Sequence, residues 1–146
     1  MALILLKGVD NTNQDIINLE EVKIYLKIDN NIEDNLLRDL ILTAIKSCEE
    51  YTNLSLGRKN WYAVYKTINH FSEIILPRKP VHKVIELGGF YCNGEKSKLS
   101  DYQYYLIDNR VIFKQIPFFN QIYIDFNGSS SIRASHFSLY PALYAI

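Results

Sequence analysis

The 146-residue chain has no apolar run near the ~18 to 20 residues that a membrane-spanning helix requires. Its opening, MALILLKGVD, is apolar but has no basic lead, is too short for a signal-peptide core and carries no small-residue cleavage pattern. It therefore reads as a β-like arm or extended lead-in to a soluble chain. Neither sign of charge is in excess, since 16 Lys and Arg offset 16 Asp and Glu. That balance excludes an overall basic field of the kind that drives non-specific nucleic-acid binding and leaves room only for a local patch. Cysteine is scarce too, and without a secretion signal Cys48 and Cys92 are expected as idle thiols and not as a disulfide.

The motifs of common chemistries are missing as well. No Walker loop, GxGxxG, GxSxG, HExxH or paired CxxC occurs. His70, His82 and His136 lie far apart, with no Cys or carboxylate at ligand spacing, so neither a metal nor a cofactor is expected. Cys48 falls on the apolar side of a helical pattern, where thiols are usually inert, which argues against a Cys–His nucleophile. Glu33-Asp34 and Glu49-Glu50 read as a helix-dipole pair and a solvated helix face. The expectation is a non-enzyme.

What is present describes an ordered domain. The composition is 48% hydrophobic with 11 Tyr and 7 Phe, which excludes a disordered tail and fits a large β component. Asn18 and Glu21 predict an approximate capping box at the start of a short helix, with Leu19, Val22 and Leu26 on one face. A second helix of roughly 20 residues starts near Asn31 and stops before Gly57. At ~100° per residue, Leu37, Leu40, Ile41, Ala44, Ile45, Cys48 and Tyr51 share its apolar arc. Leu42 is out of phase among Arg38, Lys46 and Glu49, and needs a second surface, either the β-region of the same chain or a neighbouring subunit. After Gly57 the pattern changes to period-two alternation, with turn signals at Asn93-Gly94 and Asp108-Asn109. The fold class is α+β: two N-terminal helices, one short and one long, then an antiparallel β-lobe of about five strands. Within one compact domain the parts are 1–57, 58–128 and a tail, 129–146.

In EIILPRKPVHKVIEL, Pro77 and Pro80 end one strand and begin the next, because proline cannot donate to a sheet ladder. PRKP is thus a corner between strands, in preference to a polyproline ligand. Basic residues near aromatics or loops, Arg58, Lys59, Arg78 and Lys79, are candidates for lining a DNA channel. The end of the chain, SLYPALYAI, with Pro141 suited to a first helical turn, gathers Phe137, Leu139, Tyr140, Leu143, Tyr144 and Ile146, too much apolar area to leave in water.

The ordered series LEEVKIYLKID, DNLLRDLILTAIKSCEEYT, LPRKPVHKV and IYIDFNG resembles the phage head-tail connector, or head-completion adaptor, family and its relatives in gene-transfer agents. The resemblance spans roughly residues 17 to 146. It implies a structural subunit of a ring of about a dozen copies in the virion neck, or in the bacterial cytoplasm when expressed from a prophage. Its implied neighbours are a portal protein, a tail-completion or stopper protein and, passively, double-stranded DNA. No reaction is implied. YPALYAI resembles only the start of the family's C-terminal helix, and that segment is the implied portal-facing element. In this setting Arg38, Leu42, Lys46 and Glu49 are the candidate subunit interface, since rings need one patch to meet a different patch on the neighbour. The alternative is a small nucleic-acid-binding regulator.

Overall fold

Asn18 closes the start of the first helix, α1 (Leu19–Leu26), by accepting the Glu20 N–H on its side-chain oxygen at 3.0 Å. The helix ends where Lys27 turns left-handed, φ 58°, and its N–H and that of Ile28 return to the carbonyls of Ile24 and Lys23. The second helix, α2 (Asp34–Thr52), also ends at a left-handed residue, Asn53, φ 55°, after which the Leu54 N–H bonds the Thr52 hydroxyl at 3.3 Å. Lys23 joins the two. Buried despite its charge, it donates to Asn31 at 2.5 Å and pairs with Asp34 at 2.9 Å, which satisfies the ammonium and ties α1 to the first turn of α2.

These features belong to a computed structural model that describes residues 1–9, 16–67, 71–115 and 118–130. The expected helix start at Pro141 lies outside the described residues. The strands are β1 (Ala2–Val9), β2 (Gly57–Lys66), β3 (Glu73–Ile75), β4 (Val81–Phe90), β5 (Lys96–Lys98), β6 (Tyr104–Ile107), β7 (Arg110–Phe113) and β8 (Gln121–Ser130). They form an antiparallel five-stranded sheet, ordered β1-β2-β8-β4-β5, and a smaller antiparallel sheet, β3-β7-β6. The fold is α+β. The N-terminal arm is one of the five strands of the large sheet, and the strand before the PRKP corner and the Asp108-Asn109 hairpin, expected within one lobe, form a sheet of their own.

Period-two alternation builds the core. Trp61, Ala63 and Tyr65 on β2 face the same way as Ile122, Ile124 and Phe126 on β8, and Val84 and Leu87 of β4 join them. The small sheet covers this face with Ile74, Val111, Phe113 and Tyr104, so that the two sheets close on one apolar cluster. The PRKP corner carries the chain from one sheet to the other. Leu76 and Asn109 exchange bonds beside it, at 2.7 and 3.1 Å, and the end of α2 is tied to it at Lys79, whose carbonyl accepts the Ser55 N–H at 2.7 Å and whose N–H donates to the Asn53 carbonyl at 3.1 Å. The Asp108-Asn109 hairpin forms as predicted, with Asp108 at φ 54° and Ile107 opposite Arg110.

Because the sheets seal their own core, the helices lie at its margin. Of the arc predicted for α2, Leu37 is buried and Ile41, Ala44, Ile45 and Cys48 are half-buried. Leu40 is exposed, Tyr51 is 92% exposed, and on α1 Leu26 is exposed as well. Leu87→Ala should therefore lower stability by ~2 to 5 kcal/mol, whereas Tyr51→Ala should change it by no more than ~0.5 kcal/mol. Urea denaturation of the two variants beside the parent checks both.

Candidate subunit interface

The C-terminal half of α2 meets the large sheet through a buried polar joint. Glu49, expected on a solvated face, is only 2% exposed. One carboxylate oxygen accepts the Leu56 N–H at 2.9 Å and the other pairs with Lys59 at 3.0 Å. The Glu49 carbonyl accepts a bond from Arg78 at 2.6 Å, and Arg78 also reaches the side-chain oxygen of Asn53 at 3.3 Å. Cations at this end offset the partial negative charge of the helix C-terminus, which a carboxylate alone would worsen. Lys59 and Arg78 lie 5.2 and 5.1 Å from the Trp61 ring, and the indole N–H bonds Ser55 at 2.9 Å. Ser55 in turn donates to the Gly128 carbonyl at 3.2 Å.

This joint corrects two expectations. Glu49 cannot offer its carboxylate to another subunit while it holds Leu56 and Lys59. Arg78 is not an exposed corner charge: it is 8% exposed, clamped between a helix end and an aromatic ring. Arg58 and Lys59 lie within β2 and not on a loop, and alternation along the strand sends them to opposite faces, Arg58 exposed and Lys59 into the joint. Only Lys79 is left as an exposed charge in the corner. The sequence had a usable signal, since Trp61 with Arg and Lys close by in strand-forming segments is a pattern for cation–π packing as well as for stacking on bases.

Outside the joint, Arg38, Leu42 and Lys46 share one exposed flank of α2. Leu42 is 56% exposed, so the β-region of its own chain does not cover it. Leu36 and Leu40 are exposed on the opposite flank, with Tyr51 three turns further on, and Ile24, Tyr25 and Ile32, itself 88% exposed, are further exposed apolar residues of α1 and the turn. Sequence periodicity missed this exposure because it assigned Leu40 and Tyr51 to the core. Between β1 and α2 a cleft of about 330 Å³ is lined by Lys7, Lys46, Glu50, Trp61 and Arg78 among others. A side chain in place of Gly8 would meet Lys59 at 3.1 Å and the Trp61 ring at 3.2 Å, which is why the strand can pass so close to the indole.

The far side of the large sheet carries a separate charged group. Glu86 accepts a bond from the Tyr123 hydroxyl at 2.9 Å and sits 3.3 and 3.6 Å from Lys96 and Lys98. The Tyr123 bond first, and Lys96 after it, hold the Glu86 carboxyl below the usual carboxylate range. Desolvation and then the Glu86 charge push Asp125 the other way. A second cavity, of about 540 Å³, is lined by Tyr91, Tyr102, Phe113, Phe118 and Phe119 with Lys114 and two glutamines. Among the described residues no three His, Cys, Asp or Glu side chains gather as a metal site, and Cys48 and Cys92 are free. His82 is exposed, while His70, His136 and the apolar tail residues Phe137, Leu139, Tyr140, Leu143, Tyr144 and Ile146 lie outside the described residues.

A closed β core with an amphiphilic helical flank left uncovered is the build of a structural adaptor subunit. The chain belongs to the phage gp6-like head-tail connector protein family, whose model matches residues 16–106. The fold is similar to that of a chain in the neck of an empty gene transfer agent (GTA) particle computed with C6 symmetry. That match has 18% identity and a TM-score of 0.71 over 86% of this chain and 71% of the other. It is also similar to a chain in the neck of the native GTA particle computed with C12 symmetry, at 17% identity and a TM-score of 0.69 over 98% of this chain and 84% of that one. No curated protein matches the chain.

The buried joint has a clear mutational signature. Glu49→Ala should cost ~3 to 5 kcal/mol, because it strands Lys59 and the Leu56 N–H in a buried setting. Arg78→Ser should cost ~2 kcal/mol or more, whereas Lys79→Ser should fall within ~0.5 kcal/mol. Thermal melting of the three variants separates a structural Arg78 from an ornamental one.

Proposed function

We propose that this chain is an adaptor subunit of a virion neck, forming a ring of about a dozen copies between a portal protein and a tail-completion or stopper protein. The observation that carries this reading is the uncovered helical layer. Leu36, Leu40, Leu42, Ile24 and Ile32 stay exposed on a chain whose β core is already complete. Surface of that kind in a structural family is contact surface. Arg38, Leu42 and Lys46 on one flank, facing a different patch on the next copy, supply the heterologous contact that a closed ring requires.

DNA, in this reading, passes through the ring without being read. Net charge is zero, and two of the four basic candidates, Lys59 and Arg78, are engaged in the joint. Lys79 and Arg58 remain for contact with the phosphate backbone. A sequence-selective regulator gains no support from this distribution. The apolar tail residues from Phe137 to Ile146 are the proposed portal-facing element.

Two experiments bear on this directly. Leu42→Asp should leave the melting temperature unchanged and weaken self-association, read as mass against concentration by light scattering; an unchanged mass would remove Leu42 from the interface. Deleting residues 137–146 should leave the far-ultraviolet circular dichroism of the domain intact and abolish binding to portal-bearing, DNA-filled heads. A truncated chain that still sediments with such heads would place docking elsewhere.

A further inference from the structure

We infer that neighbouring copies join head to tail by charge, with the acidic end of the helical layer of one copy seated in the basic cleft between β1 and α2 of the next. This inference rests on the ring reading and names the two patches that meet. The cleft supplies the receiving half. Lys7 projects from the sheet edge and Lys46 from the helix, both exposed, with Arg78 lining the cleft between them. Lys59 and Glu49 neutralise each other internally and Arg78 is held in the joint, so the exposed charges of the cleft are Lys7 and Lys46 against Glu50, two positive to one negative.

The inserting half is on the same chain. Around α1 and the turn into α2, Glu20, Glu21, Asp29 and Glu33 are exposed, with only Lys27 as an exposed opposing charge: four acids to one base. The other two charges of that region, Lys23 and Asp34, are spent on each other. Both halves also carry apolar surface, Ile24, Tyr25 and Ile32 at the acidic end and Leu42 beside Lys46. A contact that combines charge complementarity with apolar burial gains register from the first and affinity from the second. The two patches differ and do not overlap. Two unlike patches that do not overlap let one copy engage two neighbours at once, the heterologous contact that propagates from copy to copy in a ring. A nucleic-acid strand is the other polyanion that could enter the cleft, but the chain carries a complementary acidic patch of its own and no net positive field to draw DNA in.

Reciprocal charge reversal tests this. One variant carries Lys7→Glu with Lys46→Glu, the other Glu20→Lys with Asp29→Lys; both are exposed substitutions whose folding is checked by melting. At ~0.1 M salt, where the screening length is ~10 Å, each variant alone should self-associate at least ~10-fold more weakly than the parent. An equimolar mixture should recover assembly, because each reversed patch then meets its complement on the other variant. If a reversed variant does not fold, Lys46→Gln and Asp29→Asn should give smaller losses in the same direction. Two variants that assemble like the parent, or a mixture that fails to recover, would overturn the inference while leaving the ring reading intact. Loss of binding to a fluorescent DNA duplex with unchanged mass would also overturn it, by making the cleft a phosphate site. A parent chain that forms no oligomer, alone or on portal-bearing heads, would remove the ring reading and this inference together.

Discussion

The carboxylate of Glu49 holds the two halves of the molecule in one arrangement. The sheets would close their core without the helices, since every residue of the buried cluster comes from strands or the loops between them. The helices are covered along one face only, where Leu37 is buried and Ile41, Ala44, Ile45 and Cys48 are half-buried, and such apolar contact sets no direction of its own. What fixes their orientation is one acid under the last turns of α2, shared between the Leu56 N–H and Lys59, with Arg78 and Trp61 packed beside it. A buried ion pair is a weak source of net stability compared with apolar packing. Its geometry, however, is directional in a way that apolar contacts are not, and it sets the angle at which the helical flank meets any neighbour.

This division of labour explains why an apolar helix face can be left exposed. A domain that needed α2 to complete its core could not also present Leu36, Leu40 and Leu42 outward. The second sheet releases the helices from that task, because β3, β7 and β6 cover the face of the large sheet that a helix covers in many α+β folds. The PRKP corner is the device that makes this possible. It moves the chain between sheets and is bonded on the way to the residues that end α2.

Local rules made most of the elements legible. The Asn18 cap, the Asp108-Asn109 hairpin and the alternation along β2 and β8 follow from interactions within a few residues, and each formed where sequence placed it, whereas irregular pairing with β8 breaks the alternation of β4 and puts Val84 and Leu87, three apart, on the core face. The reading failed where the outcome depended on a distant partner. Glu49 looked solvated because its neighbours in sequence are polar, and its burial is decided by Lys59 and Leu56, which only the fold brings alongside. Arg78 looked exposed because turn residues usually are, and Trp61 decided otherwise. Leu40 and Tyr51 satisfied the helical period of a core-facing arc, yet the period says only that a face is apolar. It does not say that the rest of the same chain will cover it. Leu42, out of phase, was the residue for which sequence did point to something beyond the helix.

The outer strand of the large sheet bears on how such a chain keeps apart from the wrong company. An unpaired strand edge is a template for amyloid-like stacking, and β1 has apolar residues exposed on it at Leu3, Ile4 and Leu5. Its pairing with β2 slips in register between Leu3 and Leu5, which breaks the even spacing of outward N–H and C=O groups that an incoming strand would need to match. The opposite edge, β5, is three residues long and begins and ends with lysine. A chain with exposed apolar residues on its helices thus keeps both margins of its sheet inhospitable, so that at high concentration contacts through side chains are favoured over irreversible backbone zippering.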